Sequence, residues 1–231
     1  MEDSGIRDAI SAERTDLANV LARLQAADWE AASLCAGWRV RDVVAHMTMP
    51  FRYSTARFVA ELARARGNFN RMSNRCARRD AATMSAGELT AALADNAGHP
   101  WQPPGGGYTG ALTHDVVHGL DITVALGIDR VVPEDRLRPV LAGLAVPKTL
   151  RYFGTEVSGI ELRADDIDWR FGAGSLLTGN AQELALVLCG RKLPAGRLHG
   201  EHRDRFTRSA EPTDGEHLDV LGARQRPVAG S

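Results

Sequence analysis

Apolar residues recur with helical period through the first 150 positions, and this pattern limits what the chain can become. Ile10, Leu17, Leu21 and Leu24 share one face of a first helix, with Arg14, Asp16 and Arg23 placed elsewhere on it. A second helix begins near Trp38, after Gly37, and Val40, Val43, Val44, Met47 and Phe51 carry its apolar face. Pro50 has no N–H for the carbonyl of His46, so this helix either ends near Met49 or continues, kinked, to about Arg66. The segment "MSAGELTAALADNAG" predicts a third helix, with Ser85 and Glu88 as a capping box. After the Pro- and Gly-rich break "HPWQPPGGGYTG", a fourth helix runs from about Ala111 to Leu126. Four helices of this kind make a bundle.

The pattern changes further on. "EDRLRPVLAGLAVPKTLRYFG" reads as one more helix or a broken pair. "GIELRADDIDWRFGAG" alternates, which predicts a hairpin turning at "ADD". "GNAQELALVLCGRKL" returns to helical period. The expected fold is therefore mainly α: a four-helix bundle over residues 1–150, a small α+β C-terminal domain over 151–207, and a loose polar tail over 208–231. The arginine-rich run from Arg71 to Arg79 is read as a solvated face.

Bulk properties narrow the function classes. A net charge of −1 over 231 residues gives no field to draw the chain to nucleic acid or an anionic membrane. No apolar run approaches the ~20 residues that span a bilayer. The first residues, "MEDSGIRDAISAERTDL", are acidic and helical in pattern, unlike a signal peptide. Cys35, Cys76 and Cys189 are odd in number and widely spaced, which favours neither a disulfide framework nor a cysteine zinc site. A reducing cytoplasm is the expected location.

The chemistry is carried by histidine. His114 and His118, in "ALTHDVVHGLD", stand four residues apart and so share one helix face. His46 lies at the edge of the apolar face of the second helix. Two helices thus offer three imidazoles at the border of the bundle core, a donor set that leaves a coordination position open. Asp42 and Asp121, one turn from His46 and His118, are candidate acceptors for the far ring nitrogens. "HDVVH" also resembles the H-E-x-x-H of zinc proteases, which keeps a zincin-like hydrolase as an alternative. Asp115 would replace the glutamate there, one methylene short, and helical angles aim it away from both histidines. No Ser-His-Asp or Cys-His set stands out, so the directly catalytic residues are unknown.

The blocks "GWRVRDVVAHM", "HDVVHGLDI" and "ELALVLCGR", in this order over about residues 5 to 200, resemble the mycothiol-dependent maleylpyruvate isomerase family, within the DinB-like superfamily of metal-binding four-helix bundles. The resemblance implies a divalent metal, usually zinc, on His46, His114 and His118, and a C-terminal module beside the site. It implies mycothiol as cofactor or co-substrate, held as a metal-bound thiolate for S-transfer to, or isomerisation of, a small electrophile. It also matches Arg191 to a recurrent arginine, either contacting an anionic group of the thiol or forming a structural salt bridge. The isomerase branch typically has glutamate where this chain has His114. The metal site therefore carries over, while maleylpyruvate as substrate does not. A non-catalytic metal-binding bundle, sensor or scavenger, is the reading of a different class, and a metal-free structural bundle a third.

Overall fold

The computed structural model describes residues 3–208; the tail expected over 208–231 lies, past Arg208, outside them. Among the described residues, ten α-helices precede or flank a small sheet: α1 (Asp3–Leu21), α2 (Ala26–Glu30), α3 (Val40–Arg52), α4 (Thr55–Arg64), α5 (Phe69–Thr83), α6 (Ala86–Ala94), α7 (Gly107–Thr123), α8 (Glu134–Leu144), α9 (Pro147–Phe153) and α10 (Ala181–Leu188). The strands are β1 (Ile160–Ala164), β2 (Arg170–Gly172), β3 (Ser175–Gly179) and β4 (His199–Gly200). The architecture is mainly helical with a mixed four-stranded sheet near the C-terminus, in the order β2-β1-β3-β4.

Helix α7 packs on α1, α3 and α8, while α3 also meets α5 and α6. Two apolar clusters result. One gathers Leu17, Leu21, Val40, Val43, Val44, Met47, Leu89, Leu93 and Ile122 between α1, α3, α6 and α7. The other runs from Ile10 through Leu112, Val116 and Leu120 of α7 and Leu137 and Leu141 of α8 to Ile160, Leu177 and Leu184. This second core is continuous across residue 150, and the boundary expected there falls within α9. Gly119 lets α1 and α7 approach: a Cβ at that position would sit 3.0 Å from Nη1 of Arg130 and 3.4 Å from Oε1 of Glu13.

The sheet begins with the expected hairpin, Glu161 opposite Gly172 and Arg163 opposite Arg170. Strand β3 then pairs in parallel with β1, Leu162 beside Leu177, and β4 closes the other edge. Neither β3 nor β4 was expected from the sequence: "SLLTG" is too short to show a period of its own, and it pairs in parallel with β1 across the hairpin rather than with its neighbour β2. Helix α10 is capped by Asn180 and Glu183 and seats the sheet against α7 and α8. Proline decides two boundaries. Pro147 opens α9 and separates it from α8, giving the broken pair. Past Pro50, helix α3 runs only to Arg52 before ending.

The largest departure from expectation is α5. The arginine-rich run is a helix whose inner face, Met72, Ser73, Cys76, Ala77, Asp80 and Ala81, is buried. Its arginines lie on the outward side, with Arg71, Arg78 and Arg79 exposed as expected, but two of them are also paired: Arg75 and Arg79 meet the buried Glu61 of α4, while Arg52 of α3 meets Asp80 at 2.7 Å. Among the described residues no helix is long and apolar enough to cross a membrane.

Candidate metal centre

His46 on α3 and His114 and His118 on α7 meet where these helices face each other, and one ring nitrogen from each lies within 4.8 Å of the others. The i, i+4 spacing sets the two α7 rings edge to face with centroids 4.7 Å apart, and His46 stands 5.2 and 5.0 Å from them. Nε2 of His46 is 3.3 Å from Nε2 of His114. Two imidazoles on one tetrahedral zinc, with Zn–N of about 2.0–2.1 Å, hold their nitrogens about 3.3–3.4 Å apart. The donor set and its spacing therefore fit a divalent cation.

The far side of each ring is engaged. Nδ1 of His114 lies 2.9 Å from Oδ1 of Asp115, Nδ1 of His118 lies 3.0 Å from Oδ2 of Asp121, and Nδ1 of His46 lies 2.9 Å from Oγ of Ser73. Carboxylates only accept, so His114 and His118 carry their proton on Nδ1 and keep Nε2 for a ligand bond. The Ser73 hydroxyl can donate or accept, so His46 can take either tautomer. All three rings are largely buried, His46 at 9% exposure and the side chains of His114 and His118 at 14%. Burial is the main reason His46 titrates well below the usual imidazole range, with the neighbouring His118 and His114 adding to it. Burial also lowers His118, against the opposing pull of Asp121. Neutral imidazoles are the form that binds metal.

Both carboxylates at the site are neutralised by an arginine. Asp115 accepts from Nε of Arg14 at 2.7 Å. Asp121 accepts from Nε and Nη2 of Arg191 at 2.7 and 2.9 Å. Burial alone would raise the Asp121 carboxyl, but hydrogen bonds from His118 and Arg191 and the charge of Arg191 overcome it and hold the group far below the carboxylate range. Tryptophans close two sides: Trp38 lies against His46 with ring centroids 5.2 Å apart, and Trp101 against His114 at 5.1 Å.

Three expectations need correction. Asp42 does not touch an imidazole. Its carboxylate accepts from the backbone N–H of Arg39 at 2.9 Å and from that residue's guanidinium, because the first turn of α3 has N–H groups to satisfy. Asp115 is not aimed away from the histidines; it is buried and holds His114. Arg14, read as a polar position off the apolar face of α1, is wholly buried. Ser73, Trp38, Trp101 and Cys35 are further members that the sequence did not single out. Of these, Ser73 alone left a signal, the 3.6-residue spacing of small residues within the arginine run.

Cys35 makes a second possible donor group with His118 and Asp121. Its Sγ donates to Oδ2 of Asp121 at 2.9 Å, and Arg191 Nη2 lies 3.4 Å from the sulfur. Burial, followed by the charge of Asp121, pushes this thiol far up, so it stays protonated at neutral pH. A guanidinium already bonded to two of these three groups disfavours a second cation there, and the three-histidine cluster is the better metal centre.

Residues 10–100 match the family model described as the mycothiol maleylpyruvate isomerase N-terminal domain. The likeness to that family covers this segment, less than half of the chain. The matched segment spans α2 to α6 and most of α1, and includes His46, Ser73 and Arg14 but not His114 or His118. Among solved structures, the chain is similar to a crystal structure of the mycothiol-dependent maleylpyruvate isomerase, with TM-score 0.49 and 14% identity over 87% of this chain and 93% of that one. It is also similar to a histidine-to-alanine mutant of that isomerase, with TM-score 0.44 and 12% identity over 85% of this chain and 94% of that one. No curated protein matches the chain.

Proposed function

We propose that this chain is a metal-dependent thiol enzyme, with a divalent cation, zinc in the first instance, on His46, His114 and His118, and mycothiol as the thiol it activates for S-transfer to, or isomerisation of, a small electrophile. The observation that carries the metal reading is the convergence of three imidazoles whose far nitrogens all have partners. The family of residues 10–100 supports mycothiol by its name. A bound cation would supply Lewis-acid character that favours the ionised form of a thiol at neutral pH.

The chain's own residues prepare for that role. Burial keeps His46 and His118 neutral, so no imidazolium competes with a cation. Asp115 and Asp121 orient the rings, and Arg14 and Arg191 cancel their charge. The charge of a cation held there is therefore not offset by its protein ligands, and the site favours an anionic fourth partner. Trp38 and Trp101 cover the His46 and His114 rings and limit water at the site. Arg191 remains 19% exposed on its side chain and offers a cation to an anionic part of the thiol.

The zincin-like reading loses support, because Asp115 is locked between Arg14 and His114 and is not free to act as a base. The test is to load the protein with cobalt and add mycothiol. The expected result is a saturable sulfur-to-cobalt absorption band in the near ultraviolet, with release of protons. A cobalt-loaded protein that gives neither overturns the thiol reading in favour of a non-catalytic metal-binding bundle.

A further inference from the structure

Arg14 stands at 0% exposure in the middle of α1. Its Nε donates to Oδ2 of Asp115 at 2.7 Å, and Nη1 donates to the carbonyl oxygens of Asn96, Ala97 and His99 at 3.2, 3.3 and 2.8 Å. Asp115, itself 1% exposed, accepts with its other oxygen from Nδ1 of His114. A buried ion pair is a poor way to gain stability, since desolvation offsets its attraction and an apolar pair of similar volume does as well. Local helix geometry does not account for the contact either. Successive side chains on a helix point about 100° apart, so Asp115 is not brought onto His114 by its position alone. It reaches the ring while held by a guanidinium from a helix 101 residues away in sequence.

We propose that Arg14 and Asp115 are positioning residues for the metal centre. Arg14 anchors Asp115 to α1 and to the α6–α7 connection, and Asp115 fixes His114 in the tautomer and rotation that present Nε2 to a cation. This rests on the three-histidine reading above. The other two rings are held differently: His46 by a hydroxyl that leaves its tautomer open, and His118 by a carboxylate shared with Arg191 and Cys35. His114 is thus the ligand whose orientation depends on this one pair. The same guanidinium ties down the segment leading to Trp101, whose ring covers His114.

Two double variants separate positioning from packing. Arg14→Met with Asp115→Asn keeps an oxygen acceptor for the Nδ1 proton and leaves no buried charge. Arg14→Met with Asp115→Leu removes the acceptor as well. Zinc affinity is read by chelator competition, and stability by urea titration of the chelated proteins. We expect the Met/Asn pair, which keeps the acceptor but loses its anchor, to bind zinc about 3–10-fold more weakly than wild type, and the Met/Leu pair to bind ~10–100-fold more weakly, with similar urea midpoints. Wild-type affinity in the Met/Asn pair overturns the role given to Arg14. Equal zinc affinity in the two pairs overturns the proposal. A second measurement holds even if Met/Leu fails to fold: nitrogen-15 NMR of the metal-free wild type should show His114 protonated on Nδ1, and protonation on Nε2 overturns it. If His46→Ala binds zinc as well as wild type does, the metal reading itself has failed, a result distinct from equal affinities in the two pairs.

Discussion

Asp121 and Arg191 form a two-point ion pair, Nε to Oδ1 at 2.7 Å and Nη2 to Oδ2 at 2.9 Å, that joins the histidine helix α7 to the segment following α10. Because Oδ2 also accepts from His118, this carboxylate ties the C-terminal module to the candidate metal centre. The pair is part of the site as much as of the fold.

Removing one partner should therefore be felt in both. Arg191→Met leaves Asp121, at 0% exposure, as a buried carboxylate without its counter-ion. Urea unfolding should show a loss of about 3 kcal/mol, the lower end for breaking a buried pair. A loss under about 1 kcal/mol would mean that Asp121 finds another partner and that the pair does not hold the module in place.

The buried rings set a pH dependence in the metal-free protein. His46 and His118 both titrate below the ordinary imidazole value in the fold, burial being the main cause. Below pH of about 6.5 the unfolded chain takes up protons at these rings while the folded chain does not. Stability is therefore full above that pH and declines as pH falls through it. Urea midpoints of chelated protein between pH 7.5 and 5 should show this decline, and His46→Gln should make it shallower. An unchanged slope in the variant would place the proton uptake elsewhere.

A separate acid limb belongs to Glu61. Its hydrogen bond from Arg79, with help from Arg75, outweighs the effect of burial and brings the carboxyl down to about 2. The sign is that of a depressed acid: its contribution is complete above the ordinary value near 4.5 and is lost as pH falls from there toward 2. Glu61→Gln should be less stable than wild type at pH 7 and should lose less on going from pH 5 to pH 3. Parallel acid limbs in the two proteins would show that the arginines of α5 do not depend on Glu61.

What the sequence disclosed followed from local spacing. The i, i+4 pair on α7 and the edge position of His46 were legible because helix periodicity alone brings them to one side. Asp121 was legible as a partner of His118 for the same reason, three residues on. Asp42 misled because spacing reports which face a residue lies on but not what else competes for it, and the N-terminus of α3 takes that carboxylate first. Arg14 and Asp115 were invisible because their contact spans two helices far apart in the chain, and no local pattern marks an arginine as buried. The face of α5 was present in the spacing of Met72, Ser73, Cys76 and Asp80, but the surrounding arginines masked it. Their acidic partners, Glu61 on α4 and Asp80 on α5 itself, become apparent only in the folded chain.

The account depends most directly on metal content. Protein purified without chelator or histidine tag, analysed for transition metals, should carry about one divalent ion per chain, as expected for three imidazole donors. The variants His46→Ala and His118→Ala, checked for retained helical content, should lose it. Metal content unchanged in both variants would contradict the three-histidine centre and the function built on it.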